Sequence, residues 1–388
     1  MKLRTIDSSD LKGKFVLLRD DFNVQILDGK ITDAFRIKQS MKTVNMLCDA
    51  GARVVICSHL GRPGGIIKPE LSLRPVAEYM HINFIPDCLN RDFMDSMCDG
   101  DVVLLENLRF YPGEENNDKY FAEQLAQGFD LFVNDAFAVS HRASASTVGV
   151  TKLLPSFAGC LLRAEVENIS SVMESATHPL LAIVGGSKVS TKIGVLKSLC
   201  QIADTVIVGG ALGTTFLYAC GYNVGNSLYE PDQKDNALKI LDFADKHNCK
   251  FLLPVDKGVG QSFSRDAIRQ NKTADSIMGS DVIIDDGIET TNRNITEIQK
   301  AKTVIWNGTF GMAEWGAPWD YSTNAIAQEI ARQTQQNNLV SIVGGGDTVA
   351  ALDAIGVAKD MTYVSTGGGA FLDFIEGREL PGISALKI

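Results

Sequence analysis

Short apolar runs alternate with longer helical patterns along the whole chain, and this alternation constrains the fold more than any other feature. Runs rich in Val, Ile and Leu occupy residues 15–18, 54–57, 102–105, 131–133, 180–184, 205–208, 251–253, 282–284, 303–306, 339–343 and 363–365. Helical spacing of apolar residues lies between them, as in 35–50, 73–80 and 118–127. Continuous apolar strands between helices are typical of parallel sheets covered on both faces. The pattern predicts an α/β fold with doubly wound, Rossmann-like parallel sheets.

The length of the chain predicts two such domains. Single hydrophobic cores stop growing at about 250–300 residues, and this chain has 388. Residues 161–176, after Pro155, are charged with apolar residues on one helical face, and no low-complexity linker is present. We therefore expect two sheet domains joined by a helical hinge.

The overall charge and the cysteine pattern argue against several classes of protein. A net charge of −10 disfavours nucleic acid or an anionic membrane as a partner. No apolar run approaches the roughly 18 residues of a membrane-spanning helix, and residues 1–9 lack the apolar core of a signal peptide. The eight cysteines are scattered without a C-x-x-C pair, which favours reduced thiols over disulfides or a zinc site. We expect a cytoplasmic protein.

A glycine turn with two lysines, residues 185–192, follows one apolar run and precedes a helical pattern at 193–200. This arrangement commonly holds phosphate, because backbone N–H groups and the helix dipole both favour an anion. Lys188 and Lys192 are four residues apart, so on one helical face both could reach the same polyphosphate. The turn does not match a Walker A loop. An ordinary strand-to-helix turn with two solvated lysines is the alternative interpretation.

Cationic side chains follow the strands of the first half, where ligands bind in parallel sheets. The polar residues at or just after these strand ends are Arg19, Asp21, Asn23, Arg36, His59, Arg62, Arg109, Asn134, His141 and Arg142. Each of these arginines alone is most simply a surface residue, and each histidine a core residue. So many cationic side chains at the strand ends of a net-acidic chain, however, indicate that they line one shared crevice. Such a crevice suits a small, multiply charged anion such as a phosphorylated acid.

The strand ends of the second half are rich in glycine and mostly uncharged, at 185–186, 209–210, 344–346 and 367–369. Such ends suit a nucleotide, whose base and phosphates lie against backbone. No cluster matches G-x-G-x-x-G, which argues against a dinucleotide. Asp347 follows three glycines, where it could hold a magnesium ion or could cap the next helix.

In combination, these motifs resemble those of phosphoglycerate kinases along nearly the whole chain. The matching stretches are 19–24 (RDDFNV), 58–63 (SHLGRP), 106–110 (ENLRF), 133–137 (VNDAF) with 141–143 (HRA), 185–192 (GGSKVSTK), 306–308 (WNG), 344–348 (GGGDT) and 365–370 (STGGGA). Eight motifs in the same order are far more specific than any one of them. Six residues differ from those usual in the family, and none of them is a charged ligand: Ala138, Val139, Ser140, Thr309, Phe310 and Ala313.

The resemblance implies a reaction and assigns each substrate to one of the two domains. The reaction is reversible, Mg²⁺-dependent phosphoryl transfer between ATP and the carboxylate of 3-phosphoglycerate, giving ADP and 1,3-bisphosphoglycerate in glycolysis and gluconeogenesis. Residues 1–165 would bind phosphoglycerate, residues 166–365 would bind the nucleotide, and residues 366–388 would return to the first domain. Direct in-line transfer would follow closure of the hinge in a monomer.

The resemblance also implies roles for individual residues. Catalytic roles would fall to Arg36, Lys188, Gly345 and Gly368. The phosphoglycerate contacts would be Asp21, Phe22, Asn23, Arg36, His59, Leu60, Gly61, Arg62, Arg109 and Arg142. The nucleotide contacts would be Gly185, Gly186, Lys188, Lys192, Gly210, Asn307, Glu314, Gly344, Gly345, Gly346, Asp347 and Thr348, with Glu314 at the ribose and Asp347 at Mg²⁺.

The residues leave other functions open. A kinase for another carboxylate or for carbamate could use a similar two-domain frame, and substrate profiling separates it. A non-catalytic sensor of a phosphorylated metabolite would not need Lys188, Lys192 and Asp347. A dehydrogenase is disfavoured because the dinucleotide fingerprint is missing.

Overall fold

The structure is a computed structural model that describes residues 1–6 and 10–388. These residues divide into two units, Met1–Glu167 with Glu379–Ile388, and Asn168–Arg378. The division falls within the expected helical stretch. Residues 366–378 group with the second unit, so the returning segment begins at Glu379 and not at 366. The expectation about residues 1–9 falls partly on 7–9, which lie outside the described residues.

The first unit is built on a six-stranded parallel sheet. The strands of the whole unit, including two outside this sheet, are β1 (Phe15–Arg19), β2 (Ile26–Leu27), β3 (Lys30–Ile31), β4 (Arg53–Cys57), β5 (Asn83–Ile85), β6 (Val102–Leu105), β7 (Leu131–Asn134) and β8 (Ser156–Ala158). Its helices are α1 (Phe35–Asp49), α2 (Arg74–Met80), α3 (Pro112–Glu115), α4 (Lys119–Ala126) and α5 (Cys160–Ser175), which crosses into the second unit. The sheet order is β5-β6-β4-β1-β7-β8, and β2 pairs with β3 as a small hairpin.

Alternate residues of the central strands enter two separate cores. In β1, Val16 and Leu18 join one core and Leu17 joins the other. In β4, Ile56 lies in the first core and Val55 in the second. Both faces of the sheet are therefore covered, which explains why its strands are continuous apolar runs.

The second unit repeats this plan. Its strands are β9 (Leu180–Val184), β10 (Thr205–Val208), β11 (Lys250–Leu252), β12 (Asp256–Gly260), β13 (Gln270–Thr273), β14 (Val282–Asp286), β15 (Thr303–Asn307), β16 (Val340–Gly344) and β17 (Tyr363–Val364). Its helices are α6 (Ile193–Ile202), α7 (Gly210–Ala219), α8 (Lys234–Lys246), α9 (Ile288–Lys300), α10 (Tyr321–Gln335), α11 (Gly346–Ala354) and α12 (Gly369–Ile375). The parallel sheet has the order β11-β10-β9-β15-β16-β17. The predicted α/β class with two parallel sheets is confirmed.

A separate antiparallel sheet, in the order β13-β12-β14, was not predicted. The apolar run at 282–284 is a strand, but it lies in this sheet and not in the parallel one. Strands β12 (DKGVG) and β13 (QNKT) were not predicted because they contain few apolar residues. Their strand character depends on their partners, since β-propensity is largely a matter of context.

The returning segment packs onto the first unit through its short helix α13 (Pro381–Ser384). Gly382 N donates to the Ser140 carbonyl oxygen at 2.9 Å, and Lys387 forms an antiparallel bridge with Leu3. Leu386 is fully buried, so the segment is anchored by apolar contact as well. Across the two described ranges, no helix has both the length and the apolar character needed to cross a membrane.

Candidate active site

Asp21 and Arg36 lie at the centre of the first group of predicted ligands. Asp21 follows β1 and is buried, while Arg36, in the first turn of α1, has 27% of its side chain exposed. Arg36 Nη1 donates to Asp21 Oδ2 at 3.0 Å and to the Asn23 carbonyl oxygen at 3.1 Å. Burial acts to raise the pKa of Asp21, but Arg36 and the other donors outweigh it and lower that pKa. Asp21 therefore stays ionised and fixes the Arg36 guanidinium.

His59 follows β4 beside this pair as a neutral ring. It is 2% exposed, and its Nδ1 lies 3.7 Å from Asp21 Oδ1. Burial holds the pKa of His59 well below its ordinary value, although the Asp21 charge acts in the opposite direction. Arg19 Nη2 lies 3.3 Å from Nδ1, and an arginine can only donate, so Nδ1 accepts and the ring proton is on Nε2. His59 thus offers a hydrogen-bond donor and not a positive charge.

Two further arginines share one carboxylate. Arg109 follows β6 with 7% of its side chain exposed, and Arg142, beyond β7, has 40% exposed. Glu115 Oε1 lies 3.4 Å from Arg109 Nε and 3.9 Å from Arg142 Nη1. Glu115 was not predicted, because nothing in the run of acidic residues at the end of α3 distinguishes it.

The other predicted phosphoglycerate ligands differ in what they can contribute. Arg62 is exposed. Phe22 and Leu60 lie in the apolar core at 0% and 4% exposure, so only their backbone could meet a ligand. Gly61 N donates to Asn23 Oδ1 at 2.8 Å, and the Gly61 carbonyl oxygen accepts from Arg109 Nη1 at 2.8 Å. Gly61 therefore orders its neighbours through its backbone.

The second group of predicted ligands surrounds a cavity of about 230 Å³ beyond the carboxyl ends of β9, β15 and β16. The predicted residues that line it are Gly186, Lys188, Lys192, Asn307, Gly345, Gly346, Asp347, Thr348 and Gly368. Five other residues that line the cavity were not predicted as ligands, namely Ser187, Thr191, Gly308, Thr309 and Leu372. We call this space the phosphate cavity.

Lys192 is buried in the wall of the phosphate cavity. Its Nζ donates to the Gly185 carbonyl oxygen at 2.6 Å and to Asn307 Oδ1 at 2.8 Å. Burial lowers the pKa of Lys192 to about 8, while the Asp347 charge acts to raise it. An ammonium has three N–H donors, so the one not used by these two partners is left for an anion.

Lys188 and Lys192 do not share a helical face, contrary to the expectation from their spacing. Helix α6 begins at Ile193, and both lysines lie in the turn that precedes it. The Ser190 backbone N and hydroxyl both donate to Glu230, which holds the turn outside the helix. Lys188 is exposed at the cavity and Lys192 is buried, so the two reach the same cavity from different environments.

Gly185 and Gly344 lie behind the cavity wall and do not line it. A side-chain carbon at Gly185 would lie 2.2 Å from the Thr309 carbonyl oxygen, so only glycine allows the two backbones to approach there. The Gly344 carbonyl oxygen accepts from Asn307 Nδ2 at 2.8 Å. Thr348 Oγ1 accepts from Gly308 N at 2.7 Å. These contacts connect the ends of β9, β15 and β16.

Asp347 is the carboxylate of the phosphate cavity. It lies exposed in the first turn of α11, whose N-cap residue is Gly345, so the capping role considered for Asp347 is not observed. Within residues 1–6 and 10–388, no cluster of three or more His, Cys, Asp or Glu side chains could hold a metal. Magnesium usually needs only one or two carboxylates beside substrate phosphates and water. A single exposed aspartate in the first turn of α11, next to the glycines that precede this helix, fits that ion.

Gly210 and Glu314 line a second cavity of about 350 Å³. It shares four lining residues with the phosphate cavity, namely Gly186, Ser187, Thr309 and Asp347. Its other walls are mainly apolar and include Leu228, Phe263, Ile283, Ile284, Phe310 and Met312. An apolar cavity with a few polar groups, next to a lysine-bearing glycine turn, suits a nucleoside. We call it the nucleoside cavity. Phe263 was missed because it lies in a loop without apolar periodicity.

Comparison with known proteins gives the same family at each level. The family model described as phosphoglycerate kinase matches residues 6–378. Phosphoglycerate kinase of Methylorubrum extorquens (strain PA1) is 43% identical over 394 residues, which cover 99% of this chain and 98% of that protein. The enzyme of Brucella abortus biovar 1 is 42% identical over 396 residues, with full coverage of both chains.

Solved structures agree with the sequence comparisons. Phosphoglycerate kinase from Coxiella burnetii is 40% identical with a TM-score of 0.87, and the match covers 99% of each chain. The enzyme from Pyrococcus horikoshii OT3 is 28% identical with a TM-score of 0.86, and the match covers 99% of this chain and 98% of that one. The chain therefore belongs to the phosphoglycerate kinase family.

Proposed function

We propose that the first unit of this phosphoglycerate kinase holds 3-phosphoglycerate and the second holds ATP or ADP. The observation that supports this division is the contrast between the two sites. The first gathers arginines and a neutral histidine at strand ends, which suits a compact anion. The second joins a lysine-bearing phosphate cavity to an apolar nucleoside cavity. Hinge closure between binding and transfer stays a prediction.

The chemistry requires little beyond positioning and charge. The acceptor is a carboxylate, which is already ionised at neutral pH, so no general base has to remove a proton. Catalysis then consists of holding two anions together and stabilising the charge of the transferring phosphoryl group. Arg36 would provide that stabilisation from the 3-phosphoglycerate site and Lys188 from the nucleotide site. The backbone N–H groups of Gly345 and Gly368 would lie beside the phosphates. Direct in-line transfer follows from this assignment.

Asp347 would hold Mg²⁺ together with the nucleotide phosphates, and the bound ion would neutralise part of their charge. A coupled assay tests the whole proposal: ADP formation should require 3-phosphoglycerate and Mg²⁺, and acetate or carbamate should not replace the acid. Turnover with acetate but not with 3-phosphoglycerate would contradict it.

We also propose that the protein acts as a monomer in the cytoplasm. Both sites are built within one chain, and all eight cysteines are free thiols, as expected in a reducing compartment. Light scattering should give a mass near 42.0 kDa at micromolar concentration. A mass twice as large would contradict the monomer.

Nucleotide affinity should fall as the pH rises above about 8, because the pKa of Lys192 lies near that value. Below the pKa the ammonium is already present for the phosphates. Above it, ADP can bind well only after Lys192 takes up a proton, which costs up to about tenfold in affinity per pH unit. Calorimetry at pH 9 in two buffers of different ionisation enthalpy should show proton uptake on binding. Lys192→Met should abolish that uptake, and equal uptake in the variant would refute the assignment.

Glu115→Gln should tighten the binding of 3-phosphoglycerate by about threefold. The Glu115 carboxylate lies near both Arg109 and Arg142, so it competes with an incoming anion for the same guanidinium groups. The gain is modest because Glu115 is 40% exposed and water screens both contacts. Calorimetric titration with 3-phosphoglycerate measures this change in affinity. Glu123→Gln, which removes an exposed contact to Lys119 in the same unit, is the matched control and should change nothing. Weaker binding by Glu115→Gln would show that Glu115 supports the ligand instead.

A further inference from the structure

A buried ion pair lies behind the nucleoside cavity, among residues that have no assigned role. Lys257 of β12 and Asp286 of β14 are register partners in the antiparallel sheet, and both side chains are 0% exposed. The Lys257 ammonium donates to Asp286 Oδ1. A buried ion pair seldom stabilises a fold more than apolar residues of the same size would. Stability alone therefore does not account for this pair.

The pair lies directly against the turn formed by Gly209 and Gly210. Lys257 Nζ is 3.4 Å from the Gly210 carbonyl oxygen. A side-chain carbon at Gly209 would lie 2.7 Å from Asp286 Oδ2, so this oxygen packs against the Gly209 backbone. Gly210 has a φ of +64° and begins α7. Because Gly210 and Ala211 line the nucleoside cavity, the two charges support its wall from behind.

The adjacent residue Asp285 supports another stretch of the same wall. Arg269 Nη1 donates to Asp285 Oδ2 at 2.6 Å and to the Pro318 carbonyl oxygen at 2.6 Å. A side-chain carbon at Gly311 would lie 2.4 Å from Asp285 Oδ1, and Gly311 also lines the cavity. Two successive carboxylates at the end of β14 thus each pack against a glycine: Asp285 against Gly311 in the cavity wall, and Asp286 against Gly209, which directly precedes the wall residue Gly210. Each carboxylate has its own buried or nearly buried cation.

We propose that Lys257 is a positioning residue for the nucleotide. Paired with Asp286, it holds the Gly210 carbonyl oxygen and fixes the turn at Gly209 and Gly210. The pair thereby sets the shape of the nucleoside cavity without contacting the ligand. The inference rests on the proposed function, since it takes this cavity as the nucleoside site. Substitution of Lys257 should therefore change the affinity for nucleotide and leave the binding of 3-phosphoglycerate unchanged.

Lys257→Met tests this inference in the full-length protein. We expect the Kd for ADP to rise about tenfold, because a charged group that orders a binding wall is lost. The melting temperature should also fall, by roughly 10 °C, since Asp286 is left buried without its partner. The KM for 3-phosphoglycerate and kcat at saturation should stay within about twofold of wild type.

Two further variants separate positioning from simple loss of stability. Lys272→Met removes the more exposed Lys272–Asp281 pair of the same antiparallel sheet, and it should leave ADP binding unchanged. Lys257→Met with Asp286→Asn removes both charges, which should restore most of the melting temperature while the Kd for ADP stays about tenfold raised. This double variant also covers the case in which Lys257→Met does not fold.

Two results would overturn the inference. One is wild-type ADP affinity in the double variant, and the other is a loss of ADP affinity in Lys272→Met as large as in Lys257→Met. Failure of the wild-type protein to bind ADP would refute the proposed function instead, so the two failures are distinguishable.

Discussion

Arg36→Ala should lower kcat by about 10³-fold or more, which is the scale of a single arginine acting on a transferring phosphoryl group. Asp21 and the Asn23 carbonyl oxygen fix one nitrogen of the guanidinium, while 27% of the side chain stays exposed to solvent. The group is thus positioned before substrate binds and has little entropy left to lose. Binding of 3-phosphoglycerate should weaken by no more than about tenfold, because other cations also hold that anion.

Steady-state kinetics with both substrates saturating, together with calorimetric titration of 3-phosphoglycerate, measures the two effects separately. Arg36→Lys should recover only part of the rate, since an ammonium keeps the charge but loses the planar fork. Arg53→Ala, which removes an arginine paired with Asp99 elsewhere in the same unit, serves as the control and should leave kcat unchanged. If Arg36→Ala retains wild-type kcat at saturation, Arg36 does not act on the transition state.

Lys192→Met should raise the Kd for ADP by about 100-fold, because a charged hydrogen bond to phosphate is lost. Methionine keeps the length and apolar volume of the lysine stem, so the packing around α6 changes little. The substitution also leaves the Gly185 carbonyl oxygen and Asn307 Oδ1 without their shared donor, which adds to the loss. The proposed site of 3-phosphoglycerate lies in the other unit, so binding of that acid should not change.

Calorimetry with ADP at pH 7 gives the affinity directly. Lys197→Met is the matched control, because Lys197 is an exposed lysine of the adjacent helix and lines neither cavity. An ADP affinity within twofold of wild type in Lys192→Met would refute a phosphate contact. Arg36→Ala and Lys192→Met should thus affect different quantities: the first mainly lowers kcat, and the second mainly lowers the affinity for ADP.

Much of the candidate site could be predicted from the sequence because its residues follow the strands. Arg36, His59, Arg109 and Lys192 each come within a few positions of a predicted strand or helix end, so local pattern alone places each of them at the carboxyl edge of the sheet in its own unit. Glu115 and Phe263 carry no such signal. Each meets the site only through a fold that brings distant segments together.

The sequence by itself determined the two parallel sheets, the residues available at their carboxyl ends and the family, because apolar periodicity and strand-end residues are local properties of the chain. Only the tertiary structure decided which of these groups are buried. It placed Lys192 in a wall that lowers its pKa to about 8 and kept His59 neutral. It also paired Lys257 with Asp286, 29 positions away in the chain. Burial and pairing depend on contacts between remote segments, and no local pattern encodes them.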